Sequence, residues 1–99
     1  MSFVTTQPEM LTATAANLQS IGSTIDAQNA AAAASTTAVV PAAADEVSAL
    51  TAAQFALYAQ TYQAIADHAA AIHQMFATTL GISADSYAAT EAANAIAAG

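Results

Sequence analysis

The side chains that could do chemistry are two histidines, seven carboxylates and the hydroxyl groups, because the chain has no cysteine, lysine or arginine. His68 and His73 are five residues apart, about 140° around a helix, so they do not form the i, i+4 pair that chelates a metal ion. No serine lies in a Gly-x-Ser-x-Gly context that would activate it, and the neighbouring carboxylates of Asp45 and Glu46 do not converge on a helix. We therefore expect no catalytic residue, no metal site and no cofactor.

Tyr87 and Glu91 form a second chemical feature, an aromatic ring and a carboxylate on one face of a helix. As local helix support, such a pair contributes only about 0.2–0.5 kcal/mol. Alternatively it is a recognition element, since it lies in a polar tail beyond the main apolar pattern. The residues alone leave both interpretations open.

Composition limits both the partners and the core. The chain has 99 residues, of which 32 are alanines, and a formal net charge of −7. This charge opposes binding to nucleic-acid phosphates and to anionic lipid, so we expect no nucleic-acid partner. No stretch of about 18 residues is apolar enough to span a membrane, and the N-terminus lacks the pattern of a cleaved secretory signal. One small all-α domain with a thin core is predicted.

Prolines and glycines mark the expected helix ends. Thr6-Gln7-Pro8-Glu9 is typical of a helix start, with the Thr6 hydroxyl as the cap. Pro41 ends this helix, and Gly81 is expected to end the next one. The prediction is an antiparallel two-helix hairpin over residues 1–81, with helices at 8–37 and 45–80, followed by a flexible or helical C-terminal tail at 82–99.

Apolar side chains repeat at helical spacing on both predicted helices. On the second helix they cover about half the circumference, more than one neighbouring helix can bury. We therefore expect further helices from another chain, and a four-helix bundle is the economical assembly. The candidate partner-binding residues are Leu11, Leu18, Ile21, Ile25, Phe55, Tyr58, Tyr62, Ile65, Ile72 and Phe76.

Smaller residues beside these apolar lines allow two explanations. The alanines at 30–34 and Gly22 either let two backbones approach closely or, for the alanines, are good helix formers at exposed positions. His68 is expected at a packed seam. A membrane-active helix also fits the apolar face, but it lacks the basic polar face that such helices use.

The opening Met1-Ser2-Phe3-Val4 with Pro8-Glu9, the run from Val40 to Ser48 and the closing Tyr87-Ala88-Ala89-Thr90-Glu91 together resemble the PE family of mycobacteria. The resemblance spans essentially the whole chain. It implies a hairpin that pairs with a PPE-family protein, each contributing two helices to a four-helix bundle, and export of the pair by a type VII (ESX) secretion system. By that similarity, Pro8 and Glu9 are the family signature, and Tyr87 and Glu91 correspond to the Tyr-x-x-x-Asp/Glu secretion signal.

The same resemblance implies a non-enzymatic protein that assembles in the cytoplasm and ends at the cell surface, in the cell wall or in the medium. A dedicated chaperone would act indirectly, through the PPE partner. Many relatives continue into long C-terminal regions, and because this sequence ends at Gly99 we expect no activity housed in such a region. The alternative is a self-assembling homodimeric helical surface or structural protein.

Overall fold

The computed structural model describes residues 4–99, and their regular structure is entirely helical. Helix α1 spans Pro8–Thr37 and helix α2 spans Glu46–Ala98. Residues 4–99 contain no strand, no cis peptide bond and no residue with positive φ. The predicted all-helical class is confirmed.

The chain divides into two compact units, each built from a piece of α1 and a piece of α2. The first unit comprises the residues up to Gly22 together with Ile72–Gly99, and the second comprises Ser23–Ala71. In the second unit Thr36 shares a groove with Phe55, whereas the earlier Asn29 is bonded to the later Gln63. Later residues of α2 therefore contact earlier residues of α1, so the two pieces are antiparallel.

The first unit has the same antiparallel pairing. Leu18 contacts His73 through a hydrogen bond, and the earlier Thr6 contacts the later Glu91. In each unit taken by itself, the two helix pieces pack as the arms of a helical hairpin.

The start of α1 differs from the predicted cap. The backbone carbonyl of Gln7 accepts hydrogen bonds from the amides of Met10 and Leu11, so Gln7 is the N-cap residue and Pro8 is the first residue of the helix. The prediction that the Thr6 hydroxyl caps α1 is wrong. That hydroxyl instead donates to the carboxylate of Glu91, which offers a charged acceptor.

The start of α2 is capped by Asp45. Its Oδ1 accepts a hydrogen bond from the Ser48 amide at 2.7 Å, and its Oδ2 accepts one from the Ser48 hydroxyl at 3.0 Å. Its carbonyl accepts from the Ala49 amide at 3.1 Å. The Ser48 amide, followed by the Ser48 hydroxyl, holds the pKa of Asp45 below its ordinary value of 3.8.

The predicted end of the second helix is wrong, because α2 continues through Gly81 to Ala98. Gly81 has helical rather than left-handed backbone, since no described glycine has positive φ. A glycine inside a helix costs only about 1 kcal/mol relative to alanine. Eight alanines among residues 82–98 favour continuation, and Ala84 is buried in the first unit. Residues 82–98 of the tail are helical and continuous with α2.

The helix pieces meet through small residues. In the part of the chain that the structure describes, the fully buried apolar residues are all alanines: Ala15, Ala52, Ala77 and Ala84. Along α2 the more buried positions recur every seven residues in two adjoining lines, a spacing that keeps one seam facing one neighbour. We call these two lines together the alanine seam. They are Ala52, Ala59, Ala66, His73 and Leu80, and Ala56, Gln63, Ala70, Ala77, Ala84 and Glu91.

His73, not His68, lies in this seam. The Nε2–H of His73 donates to the Leu18 carbonyl, since a carbonyl oxygen can only accept. His68 is exposed, so its predicted place at a packed seam is wrong. The two residues are five apart, and only His73 is in register with the seven-residue alanine spacing.

Gly22 makes room for the His73 ring. A Cβ added at Gly22 would lie 2.8 Å from Cδ2 and 3.0 Å from Nε2 of His73. No atom lies within 4 Å of a Cβ added at Gly81. The chain therefore offers one glycine required by packing and one that is not, both in helical conformation.

These two glycines give a matched prediction. Gly81→Ala is expected to raise the free energy of unfolding by roughly 0.5–1 kcal/mol through helix propensity. Gly22→Ala gains the same propensity but displaces the His73 ring, and overpacking costs about 1–3 kcal/mol, so we expect a net loss. Urea unfolding measures both, and equal stabilisation by the two substitutions would contradict the packing assigned to Gly22.

A second prediction concerns the Asp45 cap. Because the folded pKa of Asp45 is lowered, its ionised carboxylate stabilises the fold above pH 3.8, and this contribution is lost as the pH falls through the lowered pKa. Asp45→Asn keeps an acceptor oxygen but no charge. Its thermal midpoint, followed by circular dichroism, should be lower than that of the parent at neutral pH and converge on it in acid. A difference that does not change with pH would contradict the assignment.

Candidate partner-binding face and export motif

Large apolar side chains of α2 lie on one flank of the second unit, beside the alanine seam. Phe55 is 60% exposed and Tyr62 is 55% exposed. With Tyr58 they line an open groove of about 500 Å³, whose other wall is formed by α1 residues including Thr36 and Val39. These aromatic side chains project about a quarter turn away from the alanine line and are not used to join the two helices.

Tyr62 is held at its polar end only. Its hydroxyl donates to Oδ1 of Asn29 at 2.8 Å, and the neighbouring Gln63 donates from Nε2 to the Asn29 carbonyl at 3.0 Å. The hydroxyl is thereby satisfied within the unit, while most of the ring stays open to solvent. A partner that covers this ring need not satisfy its polar atom.

The other predicted partner-binding residues fall into two groups. Leu11 and Leu18 are half-buried between the helix pieces of the first unit, so part of their surface is already used within the chain. The second group is more exposed, and its members are Ile21, Ile25, Tyr58, Ile65, Ile72 and Phe76. We call the exposed residues Phe55, Tyr58, Tyr62, Ile65, Ile72 and Phe76 the apolar flank of α2.

The opposite flank of α2 is polar. Gln60, Asp67 and Gln74 are exposed there, on the other side of the alanine seam. Asp67 shares a groove with Asp26 and Asn29 of α1 in the second unit. Gln60, Asp67 and Gln74 therefore lie on the side of α2 away from Phe55, Tyr58 and Tyr62.

The predicted family signature lies next to Glu91, one residue of the predicted secretion signal, in the first unit. Pro8 and Glu9 share a recess of about 540 Å³ with Asp85 and Glu91. Glu91 is half-buried, and its Oε1 accepts hydrogen bonds from the Thr6 amide at 2.9 Å and from the Thr6 hydroxyl at 3.0 Å. Met1-Ser2-Phe3, which also carried the resemblance, lie outside the described residues.

Tyr87 and Glu91 have different surroundings although they are one turn apart. Tyr87 is 47% exposed, although it follows the seam residue Leu80 by seven residues along α2. Glu91 continues the alanine seam and is bonded to Thr6. The aromatic half of the pair is available to another molecule, and the acidic half is engaged within the chain.

Among residues 4–99, no group of three or more His, Asp and Glu side chains could hold a metal ion. The same stretch contains no helix apolar and long enough to cross a bilayer. The features that remain are the apolar flank and the motif in the first unit.

Sequence reasoning missed the seam and the Thr6–Glu91 contact. The seam had a signal, since alanines recur in register seven residues apart at 52, 59 and 66 and again at 70, 77 and 84. In a chain with 32 alanines that signal is hard to separate from helix propensity. The contact joins residues 85 positions apart and has no local signal.

These features describe a helical protein with a small-residue seam and an uncovered apolar flank, and comparison with known proteins places it in a family. The family model for the PE family matches residues 4–94. The chain is 66% identical over 98 residues to PE family protein PE13 of Mycobacterium tuberculosis, covering 99% of both chains. The chain belongs to the PE family.

Longer relatives contain this sequence as one part. PE family protein PE8 of Mycobacterium tuberculosis is 58% identical over 98 residues, which are 99% of this chain and 36% of that protein. PE cleavage protein A of the same species is 56% identical over 92 residues, which are 93% of this chain and 16% of that protein. The chain thus spans nearly all of PE13 and a minor part of the other two.

Proposed function

We propose that this chain is one half of a heterodimer in which a PPE-family protein supplies two helices and completes a four-helix bundle. The PE family is known to pair with PPE proteins, and PE proteins are not known as enzymes. The proposal assigns that pairing to the apolar flank of α2 together with Ile21 and Ile25 of α1. Its role is recognition and export rather than catalysis.

The observation that supports this proposal is that no large side chain is buried among the described residues. Among the described residues only alanines are buried apolar residues, whereas Phe55, Ile65 and Phe76 are each about 60% exposed. The apolar surface that usually forms a core is left for another chain to cover.

The surface defines what the partner must provide. Its centre is aromatic and aliphatic, so the partner needs helices with a complementary apolar stripe. This chain has a net charge of −7 and no basic residue, so any charge pairing at the rim must use basic groups of the partner. A second copy of the chain would bring another seven negative charges, which favours a different protein over a homodimer.

Export is the second half of the proposal. Tyr87 and Glu91 match the Tyr-x-x-x-Asp/Glu pattern of type VII secretion, and the ring of Tyr87 is partly exposed on α2. Family membership in mycobacteria supports a secreted or cell-surface location. We propose that the pair assembles in the cytoplasm and leaves through a type VII system, with any chaperone engaging the PPE partner.

The pairing is tested by placing a charge on the apolar flank. Ile65→Asp is expected to weaken the complex with a co-expressed PPE protein by about 100-fold or more, because an unpaired charge would be buried. Gln60→Asp adds the same charge on the polar flank of the same unit and should bind as the parent does. Co-purification followed by calorimetry gives both results.

Two outcomes would contradict that assignment. Retention of a 1:1 complex by Ile65→Asp would exclude Ile65 from the interface, and loss of binding by both variants would show that charge alone, rather than its position, is responsible. Tyr62→Asp, which alters another residue of the apolar flank, is expected to behave as Ile65→Asp does.

The export signal is tested separately from folding. Tyr87→Ala should leave the complex intact and abolish secretion, because it removes the exposed ring without altering the alanine seam. Ser86→Ala, at the exposed neighbouring position, should be secreted normally. Secretion is measured as the ratio of the chain in the medium to that in cells. Normal secretion of Tyr87→Ala would refute the signal, and loss of the complex would make Tyr87 an interface residue.

A further inference from the structure

The carboxylate of Glu91 is engaged by the segment that precedes α1. Its Oε1 lies 2.9 Å from the Thr6 backbone nitrogen and 3.0 Å from the Thr6 hydroxyl oxygen. Both Thr6 groups donate to one charged oxygen, a type of hydrogen bond stronger than one between neutral groups. This pair of hydrogen bonds, which we call the Thr6 tether, fixes the segment before α1 to α2 within the first unit.

The tether replaces an interaction that the local sequence offers. In a capping box, the carboxylate three residues after Thr6, that of Glu9, would reach back to the Thr6 amide. In the structure this amide instead donates its hydrogen bond to Glu91, which comes 85 residues later in the sequence. The hydrogen bond between Thr6 and Glu91 joins the segment before α1 to α2, one turn beyond Tyr87.

The two residues of the proposed export signal are therefore unequal. Tyr87 presents a partly exposed ring, whereas Glu91 is half-buried with its Oε1 already occupied. A receptor that needed the full carboxylate would have to compete with the Thr6 amide and hydroxyl. A receptor that contacts the Tyr87 ring and the ordered segment before α1 would need Glu91 only to hold that segment in place.

We infer that Glu91 is a positioning residue, and that the export signal requires it because its carboxylate oxygen anchors the segment before α1 through the Thr6 tether. This inference rests on the proposed export function and specifies how one of its two residues acts. It assigns direct contact with the machinery to Tyr87 and assigns to Thr6, outside the Tyr-x-x-x-Glu pattern, a share in export.

Four substitutions separate the tether from the charge. Glu91→Gln keeps a carbonyl oxygen that can accept from both Thr6 groups but removes the negative charge. Glu91→Ala removes the acceptor. Thr6→Val deletes the hydroxyl donor with little change in shape, and Thr6→Ser keeps both donors.

The experiment combines hydrogen exchange at the Thr6 amide, measured by NMR on the full chain or its co-purified complex, with secretion from a mycobacterial host. Glu91→Ala is expected to speed Thr6 exchange about tenfold or more, since a hydrogen bond to a charged group is lost, and to stop secretion. Glu91→Gln should keep Thr6 protected and be secreted. Thr6→Val should lower secretion about fivefold, and Thr6→Ser should match the parent.

Several outcomes would overturn the inference. These are an unprotected Thr6 amide in the parent chain, loss of secretion in Glu91→Gln with the amide still protected, and normal secretion of Glu91→Ala or Thr6→Val. Failure of the export proposal itself is recognised separately, because Tyr87→Ala would then be secreted normally whatever happens at Thr6. Helicity by circular dichroism checks that each variant folds.

Discussion

The packing of α1 against α2 through alanine methyl groups is the constraint on which the rest of the structure depends. A buried methyl or methylene group contributes only about 0.8 kcal/mol, and the buried positions of the described residues carry no larger apolar side chain than alanine. Small residues in the seam leave room for a larger side chain on the facing helix piece, as Gly22 does for the ring of His73. The same choice excludes Phe55, Tyr62 and Phe76 from the interior and leaves them on one flank of α2.

The seam of α2 and its two flanks therefore carry different kinds of side chain. The seam uses alanine with a few polar contacts, such as that of Gln63 with Asn29 and that of His73 with Leu18. The flank beside it carries the large apolar residues, and the opposite flank carries amides and carboxylates. Since the polar contacts lie in the seam, the apolar flank can be covered without leaving buried polar groups unpaired.

Local signals predicted the parts of the fold that local chemistry controls. Pro8 and Pro41 located the ends of α1, and the second helix was predicted to begin at residue 45, next to its observed start at Glu46. Gly81 misled the prediction, because its modest helix cost is outweighed by alanine-rich neighbours and by the burial of Ala84.

Long-range packing explains the remaining errors and omissions. The alanine seam was missed because alanine is also the best helix former, so its spacing does not stand out. His68 was predicted at a packed seam, whereas His73 lies in the alanine seam. The apolar flank could be recognised because aromatic residues at helical spacing stand out in such a chain. The Thr6 contact with Glu91 could not be predicted, since only the antiparallel packing of the first unit brings these residues together.

The central claim is that the apolar flank requires helices from a different protein. Sedimentation equilibrium of the isolated chain over a wide concentration range, with helicity recorded on the same samples, tests it most directly. The isolated chain is expected to be helical but polydisperse, and to become a discrete 1:1 complex of higher helicity when a PPE protein is co-expressed. A discrete, highly helical homodimer of the isolated chain would contradict it.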